Sequence, residues 1–444
     1  MTTNRLAATA PASSDRRDIY WCDGLPAAPA TPRDPLPQAD VAIIGSGYTG
    51  LNAALVTARA GRSTLVLDAG APGWGCSTKN GGQISTSIKP TLKMLTSRYG
   101  AQKARAIRQE GIDALNWIDG FIQSEALDCN FARCGRYQAA HSPKHFDALQ
   151  RSADFLNKTE GAEAYAIPRH QQHTELGSET YFGGVVFPHH ASLDPAKYHR
   201  ALLNTAIESG VHVTGNCGVE EVTKDSNGFV LRTAKGQVRA RDVMIATGGY
   251  SGPLSPWLQR RIIPIGSYVI ATDPIPSALM DALFPTDRIV NDTCKVVYYF
   301  RPSPDRTRVL FGGRVSAKET DPSVSGPKLH QDMCRIFPQL RDYGISHSWT
   351  GQVGYTFDEL PHVGTQDGMH YSTGYCGTGV SLASYFGMRV GQKILGLSEG
   401  ATALDGLKFP TRPFYRGNPW FLPAAVTWYR WKDQLELHRA ARNN

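Results

Sequence analysis

ADVAIIGSGYTGLNAALVTARAGRSTLVLD, residues 39–68, decides the fold. Ala39 to Ile44 is a short apolar run of strand type. After the glycines, Leu51, Ala54, Leu55 and Ala58 fall on one helical face, Gly61 stops the helix, and Ser63 to Leu67 forms the next strand. This is a complete β-α-β unit. Its turn, Gly45-Ser46-Gly47-Tyr48-Thr49-Gly50, follows a strand and opens a helix, the context in which such a glycine pattern gains meaning. Gly45 permits the tight turn, Gly47 lets the backbone approach a pyrophosphate, and Gly50 lets helix and strand pack closely. The helix N-terminus then offers its unpaired N–H groups to the phosphates.

Asp68 ends the second strand, about twenty residues beyond the glycines, where an acid accepts from a ribose hydroxyl and disfavours a 2′-phosphate. The glycines leave NAD and FAD both open. The next segment separates them, because Gly73-Trp74-Gly75-Cys76-Ser77-Thr78-Lys79-Asn80-Gly81-Gly82-Gln83 is a long glycine-dense loop where a nicotinamide enzyme continues with a helix. Small residues there bring backbone amides and the Ser77 and Asn80 side chains within reach of a large planar ring.

On these residues the sequence resembles the D-amino-acid oxidase superfamily of flavoproteins, and within it the gamma-glutamylputrescine oxidase branch. That branch carries a glycine-serine-x-arginine-asparagine-glycine-glycine-glutamine signature after its acidic residue. This chain keeps Ser77, Asn80, Gly81, Gly82 and Gln83, with Lys79 in place of arginine, which retains charge but loses bidentate donation. The resemblance spans nearly all of the chain after the N-terminal arm. It implies cofactor contacts from Ala69, Gly75 and Cys76, from Val219 at an adenine-side strand, and from a second turn, Ala246-Thr247-Gly248-Gly249-Tyr250. Leu193-Asp194-Pro195 resembles a helix entry in the cofactor domain. Trp349-x-Gly351, Thr356-x-Asp358 and Pro361-x-x-Gly364 are similar to the family's C-terminal approach to the isoalloxazine, and Gly374, Gly377, Thr378 and Gly379 to the loop facing the flavin pyrimidine. A helix N-terminus there stabilises the charge on reduced flavin. Histidine is common in the family where Thr378 stands. Cys76 and Cys376 lie in expected flavin loops, yet the branch binds FAD without a bond, so non-covalent FAD is expected.

The resemblance implies an α/β fold: a Rossmann-like FAD-binding domain of glutathione-reductase type, with an interleaved α+β substrate domain on a mainly antiparallel sheet. The expected division gives residues 39–90, 190–255 and 345–405 to the FAD-binding domain and 91–189 and 256–344 to the substrate domain. Residues 1–38, rich in Ala, Pro, Thr and Asp, read as an extended arm pinned by Tyr20-Trp21, and 406–444 as a C-terminal extension. In it Trp420, Phe421, Trp428, Tyr429 and Trp431 form an aromatic stripe of packing type. The spacing of Ile107, Leu115, Ile118 and Ile122 predicts a long amphipathic helix over 101–127. Asp194-Pro195 and Gly210 punctuate a helix over 195–209. Strands are predicted at 211–214, 229–233, 237–240 and 243–246.

A chain of 444 residues, 41% hydrophobic, buries a sizeable core. Its net charge of +8 comes without a block of like charges, so neither nucleic acid nor an anionic membrane is implied as a partner. Eight scattered cysteines without a CxxC pair argue against zinc and disulfide frameworks and for a reducing cytoplasm. No apolar run reaches the length of a membrane span, and the first forty residues lack a secretory apolar core. His189-His190, His362 and His370 lack ligand spacing, and no metal is expected.

The substrate side is less determined. Tyr268, in the strand Ser267 to Ala271, and Tyr298-Tyr299 are candidate pocket walls and hydroxyl donors, and Arg314, after Phe311-Gly312-Gly313, a candidate carboxylate holder. Each is equally explicable as packing or surface. The function these readings favour is FAD-dependent oxidation of the C–N bond of a small amine or amino-acid-like substrate. Hydride transfer gives an imine that hydrolyses to a carbonyl compound and an amine, and oxygen or a carrier takes the electrons. A tRNA-modifying flavoenzyme and a non-catalytic FAD-binding protein are the alternatives. No clustered basic face supports the first, and the intact flavin loops speak against the second.

Overall fold

The structure is a computed structural model that describes residues 19–26, 28–29, 31, 34–314 and 321–442. The part of the expected arm over residues 1–18 lies outside them.

The β-α-β unit forms as the sequence dictates. Gln38–Ile44 is a strand, Tyr48–Arg59 a helix, and Thr64–Leu67 a strand pairing parallel with the first. Around it the sheet runs in the order His362–Gln366, Met369–Thr373, Gly236–Ile245, Gln38–Ile44, Thr64–Leu67, His212–Thr214, with only the first of these antiparallel to its neighbour. Val41, Ile43, Leu51 and Leu55 face a core shared with the helices Ala101–Ser124, Pro195–Glu208 and Gly379–Ile394, while Ala42, Ile44, Leu65 and Leu67 face Phe229, Leu231 and Val238 on the other side. Both faces are covered, which is why these strands read as apolar runs. Each fully buried Leu, Val or Ile contributes roughly 1.5–3 kcal/mol.

The predicted helices are found at Ala101–Ser124 and Pro195–Glu208. Asp194 Oδ1 caps the second by accepting from the Ala196 and Lys197 amides at 2.9 and 3.0 Å. The two strands predicted at 237–240 and 243–246 are one, Gly236–Ile245. Residues 236–240 pair antiparallel with Gly228–Thr233 and residues 239–245 parallel with Gln38–Ile44. The Arg241-Asp242 step, which interrupts the apolar pattern, lies toward the surface, where the two side chains pair at 3.0 Å.

A second, mainly antiparallel sheet runs Ile345–Tyr355, Ile263–Thr272, Val309–Gly313, Tyr299–Pro302, Ile289–Asp292, Arg136–Ala139, Gly184–Phe187, Tyr165–Ile167. Residues 345–355, assigned from sequence to the cofactor domain, are therefore an edge strand of this sheet, paired with Ile263–Thr272 along its length. The sheet's two faces differ. Tyr268, Ile270, Phe300 and Phe311 pack with Leu329 and Met333 of the helix Pro322–Ile336. Val269, Ala271, Leu310 and Trp349 pack with Ile19, Trp21 and Ala196, toward the first sheet's helices. Ile19 and Trp21 thereby tie the start of the described chain between the two halves. Among the described residues no helix is long and apolar enough to cross a membrane, and none of the eight cysteines forms a disulfide.

Candidate active site

The glycine turn folds as a tight backbone junction. Gly45 has φ +109°, and a Cβ there would lie 2.7 Å from the Ala246 carbonyl oxygen. A Cβ at Gly50 would lie 1.9 Å from the Gly45 oxygen. The helix Tyr48–Arg59 begins at Gly47, which has no side chain to cap the first-turn amides; the Tyr48 N–H donates to Ser77 Oγ at 3.1 Å. A helix start whose own N-cap carries no side chain suits an anion.

A second helix, Gly379–Ile394, aligns beside it. Gly387 lies where a Cβ would be 2.3 Å from the Thr49 carbonyl, and Gly391 against Ala53 and Val56. Its entry loop is stretched by Gly374 and Gly377, both at positive φ, and Thr378 at the cap turns its hydroxyl back to the Tyr375 carbonyl at 2.9 Å. The start of the helix at Tyr48 thus packs against the middle of the second helix, about two turns past Gly379.

Asp68 lies at the end of its strand, as expected, but with protein partners. Oδ2 accepts from the Ser46 amide at 2.7 Å and its hydroxyl at 2.6 Å; Oδ1 accepts from the Gly70 amide at 3.0 Å and the Trp74 indole at 2.5 Å. Ala69 neighbours Gly218, just before Val219 opens its strand, so Val219 stands beside the end of the Asp68 strand. The turn 246–250 lies across the sheet end: the Ala246 amide donates to Ile44, Thr247 Oγ1 bonds Ser251 Oγ, Gly248 has φ +54°, and Tyr250 accepts from the Gln352 amide at 3.2 Å.

The loop from Gly73 to Gln83 bridges the halves. Asn80 braces it from within, donating to the Cys76 and Ser77 carbonyls and accepting from the Gly82 amide. Trp21 donates to the Asn80 carbonyl at 2.9 Å, Trp349 to the Lys79 carbonyl at 3.0 Å, and Gln83 to Val290 and Phe300. Gly75, Gly81 and Gly351 leave the loop's surroundings thin. A Cβ at Gly351 would crowd Lys79, and one at Gly81 would lie 2.9 Å from the Tyr299 ring. Burial pushes the Cys76 and Cys376 thiols up to about 11, so both stay protonated near neutrality.

Strand alternation sorts the substrate-side candidates. Tyr268 is fully buried in the core beneath the sheet, and Tyr298 also faces that side, its hydroxyl donating to Asp332 at 2.6 Å. Tyr299 and Ser267 point the other way, toward Gly81, with their hydroxyls 2.8 Å apart. Burial holds the Tyr299 phenol well above its ordinary range. Arg314 donates to the Gly266 carbonyl at 2.8 Å, and its own carbonyl accepts from Arg430.

Sequence reasoning did not single out Arg301. It is buried, with Nη1 reaching the carbonyls of Leu193 at 3.0 Å and Gly82 at 3.3 Å, so a guanidinium underpins the loop. An arginine ending the apolar run 296–300 was the available signal.

Comparison with known proteins agrees with this geometry. Residues 40–392 match the DAO family model, described as FAD dependent oxidoreductase. The chain belongs to that family. It is 30% identical over 407 residues to the gamma-glutamylputrescine oxidoreductase of Escherichia coli, covering 89% of this chain and 93% of that protein. It is 31% identical over 409 residues to the probable oxidoreductase OrdL of Rhizobium meliloti, covering 90% and 93%. The fold is that of the glycine oxidase of Geobacillus kaustophilus, with a TM-score of 0.72 at 18% identity over 85% of this chain and 99% of that one. As a member of the family this is an FAD-dependent oxidoreductase. The residues fit the cofactor: bare helix amides for a diphosphate, an acid at the second strand's end, and a glycine-thinned loop beside a second helix start.

Proposed function

We propose that this chain oxidises the C–N bond of a small amine or amino-acid-like substrate, bound between the Gly73–Gln83 loop and the second sheet. The observation that carries the reading is Tyr299, whose ring lies against Gly81 and whose hydroxyl pairs with Ser267. In this reading Gly45 to Gly50 hold the diphosphate, Asp68 the ribose, Val219 the adenine side, and residues 75–83, 246–250 and 374–379 the flavin. Non-covalent binding is supported by the two protonated thiols.

Bound FAD would supply the two-electron acceptor for oxidation of the substrate's C–N bond, with oxygen or a carrier as the final acceptor. The protein's share is to place the substrate. Tyr299, kept protonated by burial, serves as hydrogen-bond donor rather than base, and Ser267 orients it. Arg314 sits at the Gly266 end of the same strand and supplies positive charge for a substrate carboxylate. The substrate enters as the free amine, and its imine product is hydrolysed by water.

The test is product analysis. The FAD-loaded protein is incubated in air, with and without an added artificial electron acceptor, with γ-glutamylated diamines, sarcosine and D-amino acids. A carbonyl product and an equal amount of released amine are expected from at least one of these substrates; absence of carbonyl product from all of them would sink the reading.

A further inference from the structure

Away from the glycine loops, the helix Leu422–Arg442 docks beside the second sheet and brings a carboxylate to two histidines. His141 is buried just past the strand Arg136–Ala139, and His145 lies in the first turn of the helix Pro143–Glu160. Each ring is fixed through Nδ1. His141 Nδ1 is 2.7 Å from Thr293 Oγ1, and His145 Nδ1 is 2.8 Å from Ser142 Oγ. Both Nε2 atoms turn to the same oxygen, Glu436 Oε2, at 3.1 Å from His141 and 3.8 Å from His145.

A hydrogen bond accounts for the first of these approaches but not the second, which is too long. A tetrahedral ion accounts for both. With metal–ligand bonds of about 2.0–2.2 Å, ligand atoms sit roughly 3.3–3.5 Å apart, between the two distances found, and all three ligand atoms lie within 4.8 Å of one another. Hydroxyl partners on Nδ1 are the outer contacts that orient histidine ligands. Two imidazoles and one carboxylate suit zinc-class ions rather than magnesium or calcium. His145 and Glu436, with side chains 26% and 31% exposed, leave a path for entry.

We propose that His141, His145 and Glu436 bind one divalent zinc-class ion, water completing the coordination, and that the ion staples the C-terminal helix to the second sheet. Asp433, one turn earlier on that helix, accepts from the Lys295 and Val296 amides at 3.0 Å each, so the same helix already grips the loop leading to Tyr299. Arg430 grips Arg314. The staple therefore braces the segments on the substrate side without touching the nucleotide half, and it stands whether or not the substrate is an amine.

The experiment uses the FAD-loaded full chain, stripped with chelator and titrated with zinc chloride by calorimetry. Saturable binding of a single zinc per chain is expected, together with a higher melting temperature. His145→Gln and Glu436→Gln should each weaken binding roughly tenfold or more while leaving flavin content unchanged. No saturable binding by the wild type, or wild-type affinity in both variants, would overturn the proposal. If one variant loses flavin, the other decides.

Discussion

The hydroxyls of Thr49 and Tyr375 meet at 2.8 Å, joining the first turn of one helix to the loop that opens another. Ser372 reaches the same phenol at 2.8 Å, and burial raises it to about 12. The two helix starts that frame the candidate flavin site are thereby locked together.

Loosening that junction should release the cofactor. Tyr375→Phe removes one hydrogen-bonded hydroxyl, at about 1 kcal/mol, and Gly387→Ala drives a methyl into the Thr49 carbonyl, at about 1–3 kcal/mol. Purified Gly387→Ala protein should carry clearly less flavin per chain than wild type, and Tyr375→Phe an intermediate amount. The ratio of visible to ultraviolet absorbance reads both.

Asp68 and Trp74 make opposite predictions. Asp68→Ala removes the acceptor that fixes Ser46 and is assigned to the ribose, so FAD affinity should fall by about 1.5–3 kcal/mol, roughly 10- to 150-fold. Trp74→Phe frees Oδ1 from the indole while keeping a ring against Gly70, and should bind FAD at least as tightly as wild type. Fluorescence titration of the apoprotein with FAD measures both.

The adjacent positions 267 and 268 separate chemistry from packing. Ser267→Ala and Tyr299→Phe should lower kcat/KM for the amine while changing stability by about 1 kcal/mol. Tyr268→Phe, altered only within the core, should lower the melting temperature and leave kcat/KM near wild type. Steady-state kinetics beside thermal melts check the contrast.

Asp292 should leave a signature in the pH dependence of stability. Burial raises its carboxyl to about 7, against the Tyr298 and Cys294 amides that stabilise its charge. The folded state therefore keeps a proton that the unfolded chain has lost above about 4. Stability at this group is greatest below that pH, declines as pH climbs from about 4 to about 7, and is flat above. Asp292→Asn should remove that decline, and melting temperatures across the range for both proteins would show it.

What the sequence made legible is what is local. Gly45 to Asp68 specify strand, turn, helix and acid within thirty consecutive residues, and spacing alone exposes them. Gly236–Ile245 was split in reading because Arg241-Asp242 interrupts its apolar pattern, although a strand tolerates charges where its face meets water. Tyr268 and Tyr299 illustrate a deeper limit: both lie in strand patterns, but which face looks at the flavin loop depends on sheet pairing, and one step along a strand reverses it. Arg301 under Gly82, and Glu436 beside His141, meet across 219 and 295 residues of chain, where no period or motif links them.

The account rests on electrons leaving an amine for the bound flavin, and anaerobic mixing tests that most directly. The yellow, FAD-loaded protein is combined without oxygen with each γ-glutamylated diamine, sarcosine and D-amino acid while its visible absorbance is followed. Bleaching by at least one of them is the predicted result. Flavin that stays oxidised with every one, yet bleaches with dithionite, would contradict the account.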